Sequence, residues 1–160
     1  MNMRDSGEVF LPHDICPTCP TRDIALFANV KPEDLHNMEA PIHTRVIEKG
    51  ETLYGAGEPA DAVYTLHEGV LKLEQKLSTG EQRIVRLLKR GDLAGIEAVN
   101  SGSQYNHDAI AITTVKMCKI PAEIVIDFST KSLELHANLM EKWQKALAAS
   151  DTWVTKLSTG

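Results

Sequence analysis

The chain has 160 residues, and 17 Lys+Arg against 22 Asp+Glu give it a formal charge of −5 at pH 7. A chain of this length makes one domain that buries roughly 70 % of its unfolded surface and needs no staples, and its 42 % hydrophobic and 24 % charged residues are ordinary for a soluble globular protein. No apolar run approaches the ~20 residues of a membrane span, Met1–Pro12 has no apolar stretch of the secretory kind, and the mild acidity argues against a nucleic-acid-binding face on this chain alone.

Residues 1–20 are polar and hold Pro12, Pro17 and Pro20, the composition of a loop or flexible arm that orders only where something ties it down. Asp23–Ala28 could start a short helix. Lys31-Pro32-Glu33-Asp34-Leu35 reads as a helix start, with proline and acids in the first turn, and the helix continues to Met38. From Pro41 short β-type runs alternate with turn signals. The runs are Ile42–Ile47, Thr52–Tyr54, Val63–Leu66, Val70–Leu77, Arg83–Leu88 and Ala109–Cys118, broken by glycines at Gly50, Gly55, Gly57, Gly69, Gly80 and Gly91. Short strands at this spacing indicate a sandwich or barrel, not a parallel sheet with crossover helices.

Pro121 is placed to open a helix. From Leu133 to Leu157 there is neither proline nor glycine. Leu133, Met140, Leu147 and Val154 fall seven apart, as do His136, Trp143, Ser150 and Leu157, which makes an a/d stripe. Leu139, Ala146 and Trp153 form a third row beside it, so the apolar face is too broad for a zipper alone. One edge is expected to pair with a second chain through Met140, Trp143, Leu147, Ser150, Val154 and Leu157, and the other to pack on the β-structure. The resulting division is an arm over 1–20, a β-domain over 21–120 and C-terminal helices over 121–160.

No nucleophile–base pair, metal-hydrolase spacing or glycine-rich phosphate loop is present. A cupin-like β-barrel enzyme would need two histidines two apart plus a carboxylate, and that spacing does not occur, so the chain reads as a non-enzyme. Three cysteines, Cys16, Cys19 and Cys118, are an odd count without a signal peptide, which points to the cytoplasm and to free, metal-bound or redox-active thiols. Cys16-Pro17-Thr18-Cys19 is a C-x-x-C, a spacing shared by zinc, redox and iron–sulfur sites and by bystanders. His13, His36, His43, His67 and His107 are scattered with no ligand spacing.

The order of helix, turn-rich β-roll and long heptad helix is joined by four segments. They are Lys49-Gly50-Glu51-Thr52-Leu53-Tyr54-Gly55-Ala56-Gly57-Glu58-Pro59, Val63-Tyr64-Thr65-Leu66-His67-Glu68-Gly69-Val70-Leu71-Lys72, Leu87–Gly95 with its Gly91-Asp92, and Cys118-Lys119-Ile120-Pro121. In this order and spacing, from Cys16 to Gly160, they resemble the sensor half of Crp/Fnr-type transcription regulators, on the fumarate–nitrate-regulator side. The resemblance implies a mostly β fold with some α. That fold is an antiparallel β-roll (a double-stranded jelly roll) with short N-terminal helices and a long C-terminal dimerisation helix.

The resemblance also implies roles. Nucleotide-binding members carry Gly-Glu and then Arg-Ser/Thr-Ala in an effector pocket. Here the corresponding region is Gly91, Asp92, Gly95, Glu97, Tyr105 and Asn106. The arginine and hydroxyl positions fall on Tyr105 and Asn106, and Glu97 stands one place late. Without that arginine a buried phosphate lacks its counter-charge, so a cyclic nucleotide is not the expected ligand. Oxygen-sensing relatives hold a [4Fe–4S] cluster on four cysteines. Cys16, Cys19 and Cys118 match three of those positions, and Ala25 stands at the remaining one. An iron–sulfur cluster here would need a substitute fourth ligand, with His13, Asp14 and Asp23 as candidates. Zinc, a disulfide from Cys118 to the arm, or no redox chemistry are the other readings. The expected function is a sensor and dimerisation domain that responds to oxygen, nitric oxide or redox state through Cys16, Cys19 and Cys118. The alternative is a metal-free small-ligand effector domain of the same class. The expected partner is a second copy through the C-terminal helix. DNA and RNA polymerase would be reached only through a helix-turn-helix domain that these residues lack, and no membrane is involved. Ser150 stands where oxygen-sensing relatives often carry an acid, which removes a charge repulsion across the dimer.

Overall fold

The computed structural model describes residues 5–10, 26, 28, 30, 42–100 and 102–159, with side chains within 26–147 of that set. The expected N-terminal helices, together with His13, Asp14, Cys16, Cys19, Asp23 and Ala25, lie outside the described residues. Among the described residues nine strands form two antiparallel sheets: β1 (Asp5–Phe10), β2 (Ile42–Ile47), β3 (Thr52–Tyr54), β4 (Ala62–Glu68), β5 (Leu71–Lys76), β6 (Gln82–Leu88), β7 (Leu93–Ala94), β8 (Asp108–Ala111) and β9 (Val115–Pro121). One sheet runs β1-β2-β9-β4-β7 and the other β3-β8-β5-β6. Helices α1 (Ala122–Ser129) and α2 (Leu133–Thr159) follow, and a 3-10 turn spans Ile96–Val99.

The strand runs read from the sequence fall on β2 to β6 with small shifts at their ends. Two differences stand out. The stretch Ala109–Cys118 is not one strand: it divides into β8 and β9, which belong to different sheets. The Ile112–Thr114 corner turns the chain from one sheet to the other, with Ile112 N–H donating to the Val70 carbonyl. Within the expected arm, Asp5–Phe10 is strand β1, tied down by antiparallel pairing with β2. Its sequence DSGEVF has little of the β-branched content that announces a strand, so the pairing partner decides it.

Strand β9 pairs with β2 on one side and with β4 on the other. Leu53, Leu66, Leu71, Leu88, Val115, Met117 and Ile120 fill the space between the sheets and are nearly inaccessible to water. Pro121 ends β9 and stands as N-cap of α1, which buries Ala122, Val125 and Phe128. Ser132 begins α2: its hydroxyl accepts the Leu135 N–H at 3.2 Å, the usual satisfaction of an orphan donor at a helix start.

Helix α2 buries Leu135, Leu139 and Lys142 and half-buries Trp143 and Ala146. Leu133, Met140 and Leu147 stay exposed at 84, 44 and 52 %. The broad stripe therefore divides as its width implied, with one row on the β-sandwich and another facing outward. Asn138 Nδ2 donates to the Leu26 carbonyl at 2.9 Å and also to that of Ala28, which ties the N-terminal segment to α2. No helix among the described residues is long and apolar enough to cross a membrane.

The β4–β5 turn has φ +89° at Gly69, and a Cβ there would lie 2.2 Å from the Thr114 carbonyl oxygen, a backbone atom that cannot move aside cheaply. Gly69→Ala is expected to lower stability by more than the ~1–2 kcal/mol of left-handed backbone strain alone. A urea unfolding series checks it: the midpoint should fall with the slope unchanged.

Candidate functional site

Two places in the fold gather chemistry. The first is on the five-stranded sheet. Cys118 in β9 is paired with Thr44 of β2 and Thr65 of β4. The β4–β9 register slips between Leu66 and Glu68, and His67 is the residue inside that slip. His67 stands two residues after Thr65, so it shares the sheet face of Thr65 and of Cys118, the partner of Thr65. Here the His67 imidazole Nε2 lies 2.7 Å from Cys118 Sγ, partly buried. Burial, helped by Arg90, holds His67 below the usual histidine value of 6.5, while Glu68 acts in the opposite sense. No sequence spacing marks His67, because it meets Cys118 only across paired strands. Whether Cys16 and Cys19 approach this pair lies outside the described residues.

The second place is a cavity of about 140 Å³ between the four-stranded sheet, the 3-10 turn and α2. Of the residues expected at an effector pocket, Gly95, Glu97 and Asn106 line it. The Asn106 N–H donates to Glu97 Oε1 at 3.0 Å, which joins the two segments. Tyr105 stands behind the lining and is 4 % exposed. Its hydroxyl donates to the Ala62 carbonyl at 2.7 Å, and its ring stacks on Tyr54 with centroids 3.9 Å apart. A Cβ on Gly95, at φ +75°, would meet the Tyr105 ring at 2.9 Å, so the glycine is what admits the ring.

Gly91 and Asp92 form the corner before β7 and do not line the cavity. The Asp92 carboxylate accepts the Lys89 N–H at 3.0 Å. The buried Lys142 ammonium of α2 donates to the Gly91 carbonyl at 2.8 Å, and Lys145 stands 3.9 Å from Asp92.

Val85, Arg86 and His107, the last being one of the histidines without ligand spacing, also line the cavity, with Leu73, Leu93, Ile96, Trp143, Ala146 and Leu147. Val85 and Arg86 are consecutive and would ordinarily face opposite sides of a strand. The β5–β6 register slips between Leu73 and Glu74: Leu73 opposes Arg86, and Glu74 opposes Ile84. Val85 is the extra residue, and the burial alternation of β6 changes phase there. The slip brings both side chains to the cavity. Trp143, expected at a helix–helix interface, lies half-buried against the sandwich and the cavity, whereas Met140 and Leu147 stand outward. Ser150, Val154 and Leu157 lie where side chains are not described.

Residues 44–132 match the family model described as cyclic nucleotide-binding domain. The chain is 26 % identical over 144 residues to the anaerobic regulatory protein of Pasteurella multocida, which covers 89 % of this chain and 52 % of that protein. It is similarly 26 % identical to the fumarate and nitrate reduction regulatory protein of Vibrio cholerae, over 89 % of this chain and 57 % of that protein. The chain thus spans about half the length of the curated relatives it matches. The Thermus thermophilus catabolite activator protein has the same fold, with a TM-score of 0.68 at 20 % identity over 83 % of this chain and 62 % of that one.

Burial holds the Tyr54 and Tyr105 phenols well above their usual value of 10.0. A folded-state value raised above the unfolded one contributes stability that is fully present below pH 10 and is lost as pH rises above it. Alkaline titration followed by ultraviolet absorbance should show these two tyrosines ionising only as circular dichroism reports unfolding. Full phenol ionisation in the folded protein would contradict their burial.

Proposed function

Because the chain belongs to the cyclic nucleotide-binding domain family, with Fnr-type proteins among its curated relatives and a catabolite activator protein among its structural neighbours, we propose that it is the sensor and dimerisation domain of a Crp/Fnr-type transcription regulator. In this reading it acts in the cytoplasm and is not an enzyme. The observation that carries this is the double role of α2. Its inner row packs on the sandwich through Leu135, Leu139 and Lys142 while Met140 and Leu147 face outward. A change within the β-domain therefore acts directly on a helix with a free apolar edge, and a second copy of this chain fits that edge. The pairing angle of the two helices would be the output, passed to DNA-binding domains and through them to RNA polymerase.

The input we propose is oxygen, nitric oxide or redox state through Cys16, Cys19 and Cys118. An iron–sulfur cluster suits the donor chemistry: thiolates are its ordinary ligands and imidazole an accepted replacement. Cys118 already has an imidazole nitrogen 2.7 Å away, so His67 joins His13, Asp14 and Asp23 as a candidate for the place where Ala25 offers no donor. The described residues hold no group of three metal-ligating side chains, so a cluster would draw its other ligands from the arm. When bound, it would supply an oxygen-labile link between arm and sheet. The protein's own part is to hold Cys118 in a sheet paired on both sides.

Anaerobic purification, a visible spectrum and an iron and sulfide assay test the input. The expected protein is brown, bleaches in air and loses its iron in Cys118→Ala. A colourless protein without iron after anaerobic reconstitution would refute the cluster and leave free-thiol counting to decide for or against a disulfide. The dimer has its own test. Sedimentation should show a dimer at tens of micromolar that weakens by about tenfold or more in Ser150→Asp, since like charges facing each other across a parallel pair repel. A monomeric parent chain would remove the dimer reading.

A further inference from the structure

The cavity beside α2 presents chemistry that the cysteine reading does not use. Its volume of about 140 Å³ is that of an engineered cavity which holds one benzene. Most of its wall is apolar, from Leu73, Val85, Ile96, Trp143 and Leu147. Into that wall the β5–β6 slip brings one guanidinium. Arg86 is half-buried, and among the described residues it makes no hydrogen bond and no ion pair. Burial holds it below the usual arginine value, and Asp92 and Tyr54 act on it in the opposite sense through the field. A charge taken partly out of water without a direct partner is costly, and guanidinium is the side chain best shaped for a carboxylate. Across the lining, one oxygen of Glu97 accepts the Asn106 N–H, and the carboxylate has remaining capacity for a donor.

We propose that this cavity binds a small organic carboxylate that also carries a hydroxyl or ammonium group, with Arg86 taking the carboxylate, Glu97 the donor, and Trp143 and Leu147 covering the apolar body. An apolar pocket with a few convergent polar groups is the general form of a small-molecule site. The cation that would hold a nucleotide's phosphate is not beside Gly95, where the Tyr105 ring stands. The position of Arg86 on β6 favours a short ligand lying under α2. Since Trp143 and Leu147 belong to α2, occupancy would bear on the same helix through which the domain is proposed to pair. The site stands on the cavity and on Arg86, and is independent of the cysteines and of any metal.

Calorimetric titration of the intact chain, with tryptophan fluorescence alongside, tests it with four probes: 4-hydroxybenzoate, 4-hydroxybenzamide, benzoate and cyclic AMP. Saturable one-to-one binding of 4-hydroxybenzoate is expected, about tenfold or more weaker for the amide, which lacks the charge, and weaker for benzoate, which lacks the donor. Arg86→Gln should weaken 4-hydroxybenzoate by about the same factor, with Arg86→Lys in between. Should Arg86→Gln fail to fold, the comparison of carboxylate with amide on the parent protein decides the point. No binding of 4-hydroxybenzoate at millimolar concentration, equal binding of acid and amide, or one-to-one binding of cyclic AMP that is unaltered in Arg86→Gln would overturn the proposal. The same titration on Cys118→Ala should be unchanged. This separates the outcome from that of the iron assay.

Discussion

The seating of α2 on the sandwich is the constraint from which the rest of the molecule takes its meaning. Two leucines and one buried ammonium fix it. Leu135 and Leu139 supply the apolar anchor, each a position where truncation to alanine costs ~2–5 kcal/mol in a packed core. Lys142 supplies direction, because an ammonium hidden from water needs a specific acceptor and finds the Gly91 carbonyl at 2.8 Å. That carbonyl belongs to a corner which is itself fixed: the Gly91 N–H donates to Leu66, and the Leu66 N–H donates to Asp92. Helix, corner and strand β4 are therefore one connected unit.

With α2 so placed, its surface is shared between two environments. Trp143 and Leu147 close the cavity, and Met140 and Leu147 present an apolar edge to solvent. Leu147 belongs to both. A ligand that presses on the cavity side and a second chain that covers the outer edge would meet through the same side chain. Such an arrangement suits a two-state helix better than a rigid scaffold. The His67–Cys118 pair stands on the opposite sheet, on β4 and β9, and β9 leads directly into α1 at Pro121 and from there to α2.

The cavity owes its composition to a register slip, whereas His67 shares the face of Cys118 by ordinary alternation, two residues after Thr65. Arg86 enters the cavity at a slip in β5–β6. Strands that alternated regularly throughout would send Arg86 to the side opposite Val85. Neither placement can be read from the sequence, because one depends on the strand that lies alongside and the other on a slip in register. His67 stands just past the run Val63–Leu66, and Arg86 sits in Arg83–Leu88 between the apolar Val85 and Leu87. Of the residues that the resemblance put at an effector pocket, Gly95, Glu97 and Asn106 line the cavity and Gly91, Asp92 and Tyr105 do not. The outward row of α2 was legible because a seven-residue repeat survives without knowledge of what it packs on.

By itself the sequence determined the class of the fold: short alternating strands between glycine turns, then a proline-started helix and a long helix with a divided apolar stripe. These features depend on local periodicity and turn chemistry, which travel with the chain. It also fixed the two thiols of the arm and the third at the end of the β-domain. Only the tertiary structure decided that Ala109–Cys118 is two strands in two sheets, that DSGEVF is a strand at all, that Tyr105 turns inward against Tyr54, and that Arg86 and His67 are the polar groups of the two sites. Each of those depends on which backbone lies alongside, and hydrogen-bond register between distant segments is a property of the pair and not of either strand.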